Sequence, residues 1–140
     1  MNYDLSRFEK AHRTDFQTAL SEIKSGRKRS HWMWYIFPQV IGLGRSSISE
    51  YYAIHDIGEA KALLDDDYLG NNLVEICNAL LTLDSNNATE IFGKPDDMKL
   101  KSSMTLFACA SETEHSIFTD VLNRFFDGKL DRRTMQILGL

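Results

Sequence analysis

The amino-acid sequence predicts an all-α fold, a compact single-domain bundle of about seven or eight short helices. Three observations predict this class. The long periodic stretches place their apolar residues three or four positions apart, helix-capping residues recur along the chain, and no run alternates as a strand does. Because 140 residues suffice for one well-buried core but are few for two, residues 1–140 are expected to form a single domain.

In the first half of the chain, each predicted helix begins with a capping side chain or contains an apolar run. The expected spans are 4–26, 32–37, 46–52 and 56–64. The run 32–37 is short enough to be either a buried strand or a buried helix. A helix is favoured, since the chain offers no second strand-like run with which it would pair.

The second half has clearer helical periodicity, with apolar residues stepping by four and three. Its expected helices span 69–83, 87–93, 95–110, 111–128 and 131–138. Two of them open with capping-box spacing, Asn87 with Glu90 and Ser111 with Glu114. These signals complete the prediction of a helical bundle around one core.

The composition is that of a soluble globular protein, with 43% hydrophobic and 26% charged residues. The two cysteines, Cys77 and Cys109, are too few for a disulfide framework and lack metal-ligand spacing. No metal and no cofactor is predicted. The first residues resemble no signal peptide, and no apolar run approaches the ~20 residues of a membrane helix. We therefore expect a cytoplasmic protein without a membrane partner.

Charge is distributed unevenly along the chain. Residues 1–45 contain eight Lys or Arg and four Asp or Glu, whereas residues 46–140 contain eight and sixteen. The basic front either neutralises the acidic remainder or binds an anion. A nucleic-acid-binding domain would be basic overall, and the net charge of −4 argues against that partner.

The segment 26–39, GRKRSHWMWYIFPQ, is the densest in chemically versatile side chains. Arginine binds phosphate or carboxylate in a bidentate manner, and tryptophan stacks on a planar ring or supports a cation. The competing interpretation is a basic loop at a helix C-terminus, next to an aromatic core element. Under either interpretation, at least one of Trp32 and Trp34 is expected to be buried.

The segment 93–107 turns Asp97 toward the apolar face of its predicted helix. An inward carboxylate needs a hydrogen-bond donor or a cation. We predict that Asp97, and Asp96 as well, lies within hydrogen-bonding distance of a group from residues 27–31. Alternatively, both carboxylates cap the first helical turn and Asp97 pairs with Lys101.

Other candidates carry weaker signals. Residues 42–47, GLGRSS, can hold a phosphate through backbone N–H groups, but they match no nucleotide-binding motif, and an ordinary turn with a serine cap explains them. His12 is expected to be a satisfied core histidine. His55 and His115 have no second ligand at metal-binding spacing.

Residues 27–39, 42–46, 91–93 and 95–107 resemble the motifs of a bacterial family, the domain of unknown function numbered 1810, some of whose members are labelled calpastatin-like. The resemblance extends over about residues 4–138. It implies a small, all-helical bacterial protein, and it carries over no catalytic residue because the family brings no settled activity. Both polar and aromatic segments fall on its motifs, which favours their facing each other across a pocket.

Two functions fit these observations. The first is a small-ligand site for an anionic, phosphate- or nucleotide-like molecule, located between residues 27–39 and 95–105. The second is a non-catalytic helical protein-interaction or adaptor module. No motif names a reaction; if the site is catalytic, the expected proton-transfer groups are His31, Asp96 and Asp97. The expected ligand-binding residues are Arg27, Lys28, Arg29, Trp32, Trp34, Gln39, Arg45, Lys99 and Ser103.

Overall fold

The computed structural model describes residues 3–113 and 115–140, and over these residues the chain is helical. The described helices are α1 (Ser6–Lys24), α2 (Met33–Ile36), α3 (Ser47–Tyr52), α4 (Ile57–Asp65), α5 (Asp67–Leu81), α6 (Ala88–Phe92), α7 (Asp96–Ala110), α8 (Ile117–Phe126) and α9 (Arg132–Leu138). The all-α prediction is confirmed, and each expected span overlaps one described helix. None of the described helices is both long and apolar enough to cross a membrane.

Side chains that accept backbone N–H groups fix most helix starts. At predicted helix starts, the capping side chains are Ser46, Asp56, Asn87 and Asp131, and Asp66 caps α5, which begins two residues before its predicted start at residue 69. The start of α8 differs from the prediction, because Ser116 rather than Ser111 caps it, accepting from the Thr119 N–H at 3.2 Å. Glu114, the second member of the predicted capping box, lies outside the described residues.

α7 is the central helix of the bundle. It packs against α4, α6, α8 and α9, while α1 packs against α5 and α2. Leu100, Thr105 and Leu106 are all fully buried although they point in different directions around α7. Polar side chains on the buried faces of such a helix need hydrogen-bond partners inside the protein.

α2 carries the aromatic run into the core. Trp32 is 1% exposed and Trp34 is half-buried, which confirms that at least one tryptophan is buried. His12 Nε2 donates to the Tyr35 carbonyl at 2.9 Å, and His12 Nδ1 accepts from the Asn72 amide at 3.1 Å. Burial lowers the pKa of His12, and the two bonds fit its neutral form. His12 is the satisfied core histidine that the sequence predicts.

Two sets of contacts bring distant segments together beside α7. The backbones of Gln39 and Ile41 bond to Ile54 at 2.9 and 2.8 Å, around an isolated β-bridge. The Asp131 N–H donates to the Thr105 hydroxyl at 2.8 Å. The first set of contacts orders the loop before α3, and the second holds the start of α9 against the middle of α7.

Candidate functional site

Glu22, near the end of α1, organises residues 27–32, which we call the basic loop. One carboxylate oxygen accepts from the backbone N–H groups of Arg29 (2.7 Å) and Ser30 (2.9 Å) and from the Trp32 indole N–H (3.0 Å). The other oxygen accepts from the Ser30 hydroxyl at 2.5 Å. The loop is thus tied to the helix that precedes it.

Burial alone would raise the pKa of Glu22, but these four hydrogen bonds outweigh it and lower the pKa from 4.5 to about 2. The sequence analysis missed this residue. An acidic side chain in the last turns of a helix opposes the helix dipole, so its placement there calls for a compensating set of donors. The donor-rich loop that follows supplies them.

Lys28 joins the basic loop to α7. Its Nζ lies 2.9 Å from Asp96 Oδ2, and Lys99 Nζ lies 3.4 Å from the other oxygen of the same carboxylate. Lys28 Nζ is 5.1 Å from the Trp32 ring centroid, and Lys99 Nζ is 5.6 Å from that of Trp34. The prediction for Asp96 is confirmed. This carboxylate bridges two cations, each of which lies over a tryptophan.

The prediction for Asp97 is wrong. Its Oδ2 accepts from the Thr89 hydroxyl at 2.7 Å and its Oδ1 from the Met98 N–H at 2.8 Å, rather than from residues 27–31. One residue along a helix is a rotation of about 100°, which turns Asp97 toward α6 while Asp96 faces the basic loop. Two donors satisfy this buried carboxylate without a cation.

A groove of about 230 Å³ is lined by the loop before α3, the first turns of α7 and the start of α9, and we call it the α7 groove. Its lining combines two cations, one carboxylate, hydroxyls, an amide and a few apolar side chains. The lining residues are Gln39, Leu43, Gly44, Ser49, Pro95, Met98, Lys99, Ser102, Asp131 and Arg133. A cavity of about 20 Å³, large enough for one water, adjoins it and shares three of these residues, Gln39, Gly44 and Ser49.

The charged groups of the α7 groove differ in how fully they are engaged. The Asp131 carboxylate caps α9 with one oxygen, Oδ2, which accepts from the Thr134 N–H at 3.0 Å and from the Thr134 hydroxyl at 2.6 Å. Arg133 donates to the Gly42 carbonyl at a long 3.4 Å, and Lys99 is 3.4 Å from Asp96. Because a guanidinium has five N–H donors and an ammonium three, both cations retain donors for an anion.

Gly44 lets the loop before α3 close onto the groove. A Cβ at this position would lie 2.6 Å from the Ser49 Cβ, too close for any other residue without movement. Ser46 Oγ accepts from the Ser49 N–H at 3.2 Å and lies 2.7 Å from its hydroxyl. Residues 42–47 thus form the serine-capped turn that the sequence analysis favoured.

The structure places the predicted ligand-binding residues in different environments. Trp32 is buried in the core and Lys28 pairs with Asp96, so neither lines the groove, contrary to the prediction. The groove and its adjoining cavity contain Gln39, Lys99 and Trp34. The exposed residues outside that lining are Arg27, Arg29, His31 and Arg45. Ser103 is completely buried, and the neighbouring Ser102 faces the groove instead. Among the described residues, neither Asp96 nor Asp97 forms a hydrogen bond or ion pair with His31.

The sequence analysis missed Ser49, Ser102 and Arg133 as groove residues. Arg133 bonds to Gly42, 91 positions away, and no spacing in the sequence connects them. The sequence predicts Ser103 rather than Ser102 as a groove residue. This prediction is wrong because α7 is buried on several sides, so the spacing of its apolar residues does not show which side faces the groove.

Comparison with known proteins shows what this chain is similar to. The family model described as "Protein of unknown function (DUF1810)" matches residues 2–138. The chain belongs to the DUF1810 family. Its fold matches the crystal structure of the conserved hypothetical protein Rv1873 from Mycobacterium tuberculosis with a TM-score of 0.94. The two chains are 41% identical, and the match covers 99% of this chain and 98% of the other. No curated protein matches.

The family assignment confirms the resemblance carried by the two long motifs. In this DUF1810 protein, those motifs supply the basic loop, the loop before α3 and the first turns of α7. Arg133, which also lines the groove, comes from α9 and lies outside both motifs.

Proposed function

We propose that the α7 groove binds a small anionic ligand with a phosphate-like group. The observation that supports this most directly is the pair of cations, Lys99 and Arg133, lining one groove whose single carboxylate, Asp131, is held by its own helix. The Ser49 and Ser102 hydroxyls add donors beside them. Arginine and lysine together favour phosphate, the first by bidentate bonds and the second as a point charge.

The size and lining of the groove restrict the rest of the ligand. Its volume is below the 300–1,000 Å³ typical of sites for drug-sized molecules, which favours a phosphate with a small organic part. Leu43 and Met98 offer apolar contact, and the Gln39 amide offers one donor group and one acceptor. The Lys99 ammonium lies over one face of the Trp34 ring, so that face is not available to stack on a nucleobase.

The proposal concerns binding in the bacterial cytoplasm and includes no chemical step. His31 remains a prediction as a proton-transfer group, but it is exposed and outside the groove lining. A protein-interaction module is the second candidate. It is supported by exposed apolar side chains beside the groove, of which Met98 is 51%, Ile137 40% and Ile41 39% exposed.

Thermal unfolding with inorganic phosphate, glycerol 3-phosphate and a nucleoside monophosphate tests the proposal. A ligand at 100 times its Kd stabilises the native state by about 2.7 kcal/mol, a readily measured rise in Tm. Lys99→Met should abolish the rise. Lys101→Met is the matched control, because it removes the same charge from the same helix outside the groove lining. A flat response of the wild-type protein would contradict the proposal and favour the interaction module.

A further inference from the structure

A second cavity, of about 370 Å³, lies where α1 meets the segment joining α3 to α4. It is larger than the α7 groove and within the range typical of small-molecule sites. Its walls include Tyr3, Arg7, Tyr51, His55 and Glu59. The proposed function uses none of these residues, and the two sites face different sides of α3.

Glu59 provides a buried carboxylate in the lining of this cavity. Its side chain is only 3% exposed. Its Oε2 accepts from Arg7 Nη2 at 3.1 Å, and its Oε1 accepts from the His55 N–H at 2.8 Å, with His55 Nδ1 3.6 Å away. A carboxylate has about four acceptor positions, so it keeps capacity for a further N–H donor.

The guanidinium of Arg7 is already engaged by the protein. Besides Glu59, it donates to the Ala53 carbonyl at 2.9 Å and to the Asp4 carbonyl at 3.1 Å, and it lies 4.3 Å from the Phe8 ring centroid. An anion entering the cavity would meet two carboxylates, those of Asp4 and Glu59, and a guanidinium that already makes three hydrogen bonds to the protein and keeps its buried Nε–H without a partner. The lining therefore favours positive over negative ligands.

Two tyrosines give the cavity aromatic walls. Tyr51 is 59% exposed, and its ring packs edge-on against Tyr52 with 4.8 Å between centroids. Tyr3 closes against the start of α4 because residue 58 is glycine; a Cβ there would lie 2.2 Å from the Tyr3 hydroxyl oxygen. Aromatic faces attract ammonium groups and also pack against apolar chains.

From this arrangement, we infer that the cavity is a binding site for a small organic cation, a primary ammonium on a short apolar or aromatic chain. The ammonium N–H groups bond to the Glu59 carboxylate, and the chain packs between Tyr3 and Tyr51. Glu59 is fixed by Arg7 and by the His55 backbone before the ligand arrives, so the site is preorganised.

An NMR titration with 2-phenylethylamine tests this inference, since the compound is cationic at pH 7 and 2-phenylethanol is its uncharged counterpart of nearly equal shape. We expect saturable shifts of backbone amides at Tyr51, His55 and Glu59, with 2-phenylethanol binding at least tenfold more weakly. Tyr51→Ala should weaken the amine at least tenfold. Ile48→Ala, which removes another exposed apolar side chain from α3, should leave its affinity within twofold.

Glu59→Gln removes the negative charge of this carboxylate and tests whether amine binding depends on it. Circular dichroism and the Tm of the variant check that it folds. If Glu59→Gln does not fold, the affinity of Tyr51→Ala for the amine and the affinity of the wild-type protein for 2-phenylethanol still test the inference. Equal affinities for the amine and the alcohol, shifts confined to other regions, or no saturable binding would each overturn the inference.

Discussion

The basic loop and the α7 groove each contain a lysine that lies over a tryptophan ring, yet their cations are engaged in opposite ways. In the loop, Glu22 takes three N–H donors and a hydroxyl, Asp96 takes Lys28, and Arg27 and Arg29 point into solvent. In the groove, Lys99 of α7 and Arg133 of α9 line one concave surface, and most of their N–H donors are free. Under the proposed function, the convergence of cations in space, rather than their density along the sequence, marks the anion site.

The basic loop depends most on the negative charge of Glu22. Glu22→Gln should lower the free energy of unfolding by about 2 kcal/mol, because the loop's N–H groups and the Ser30 hydroxyl lose a charged acceptor; this value allows for the partial exposure of the side chain. Urea unfolding at pH 7 measures it. Phosphate binding in the groove should persist at temperatures where the variant is folded. A loss below 0.5 kcal/mol would show that the loop does not depend on this carboxylate.

The same carboxylate gives a pH dependence of defined sign. Its pKa is lower in the folded protein, about 2 against 4.5, so its stabilisation is present above pH 5 and is lost as pH falls toward 2. Between pH 5 and pH 2.5, wild type should therefore lose more stability than Glu22→Gln, by about 1–2 kcal/mol after discounting for solvent screening. Parallel urea titrations at the two pH values measure the difference. Identical losses would contradict the assignment.

Asp96 links the two regions, and its removal should have a smaller effect. Asp96→Asn weakens the contacts with Lys28 and Lys99, which are only partly shielded from water, so we expect a loss of about 1 kcal/mol. It also frees Lys99 from a competing carboxylate, so phosphate affinity should rise rather than fall. Calorimetric titration measures the affinity, and a decrease in a folded variant would count against the groove.

The smallest effects are expected for the exposed arginines of the loop. Arg27→Ala and Arg29→Ala should each change the free energy of unfolding by less than about 0.5 kcal/mol, since both side chains are exposed. Chemical denaturation measures this directly. A loss above 1 kcal/mol would mean that these arginines have a structural role that the comparison does not assign to them.

Most of the fold follows from the sequence because its signals are local. Caps such as Asp66 and Asn87 act on N–H groups two or three residues away, and helical periodicity needs only a few turns to show. The later start of α8, at Ser116 rather than Ser111, shows the limit. Two serines five residues apart offer similar caps, and tertiary packing selects between them.

The site follows from the sequence only in part because its contacts are long-range. The two motifs predicted a contact between Asp96 and residues 27–31, which the Lys28–Asp96 ion pair confirms, and the predicted Gln39 and Lys99 line the groove. Arg133 was not predictable, since the bundle alone brings α9 to the loop before α3. The predictions for Asp97 and Ser103 are wrong by one residue, because Asp96 contacts the basic loop and Ser102 lines the groove. One residue along a helix turns the side chain by about 100°, to another surface.

The central claim is that anion binding belongs to the α7 groove and not to the basic loop. Its most direct test is the Kd of inorganic phosphate for Arg133→Ala and Arg29→Ala, which remove the same charge from an exposed arginine in each region. At matched ionic strength, Arg133→Ala should weaken phosphate at least tenfold, while Arg29→Ala should leave the Kd within twofold of wild type. The reverse pattern would place the anion at the basic loop and contradict the account.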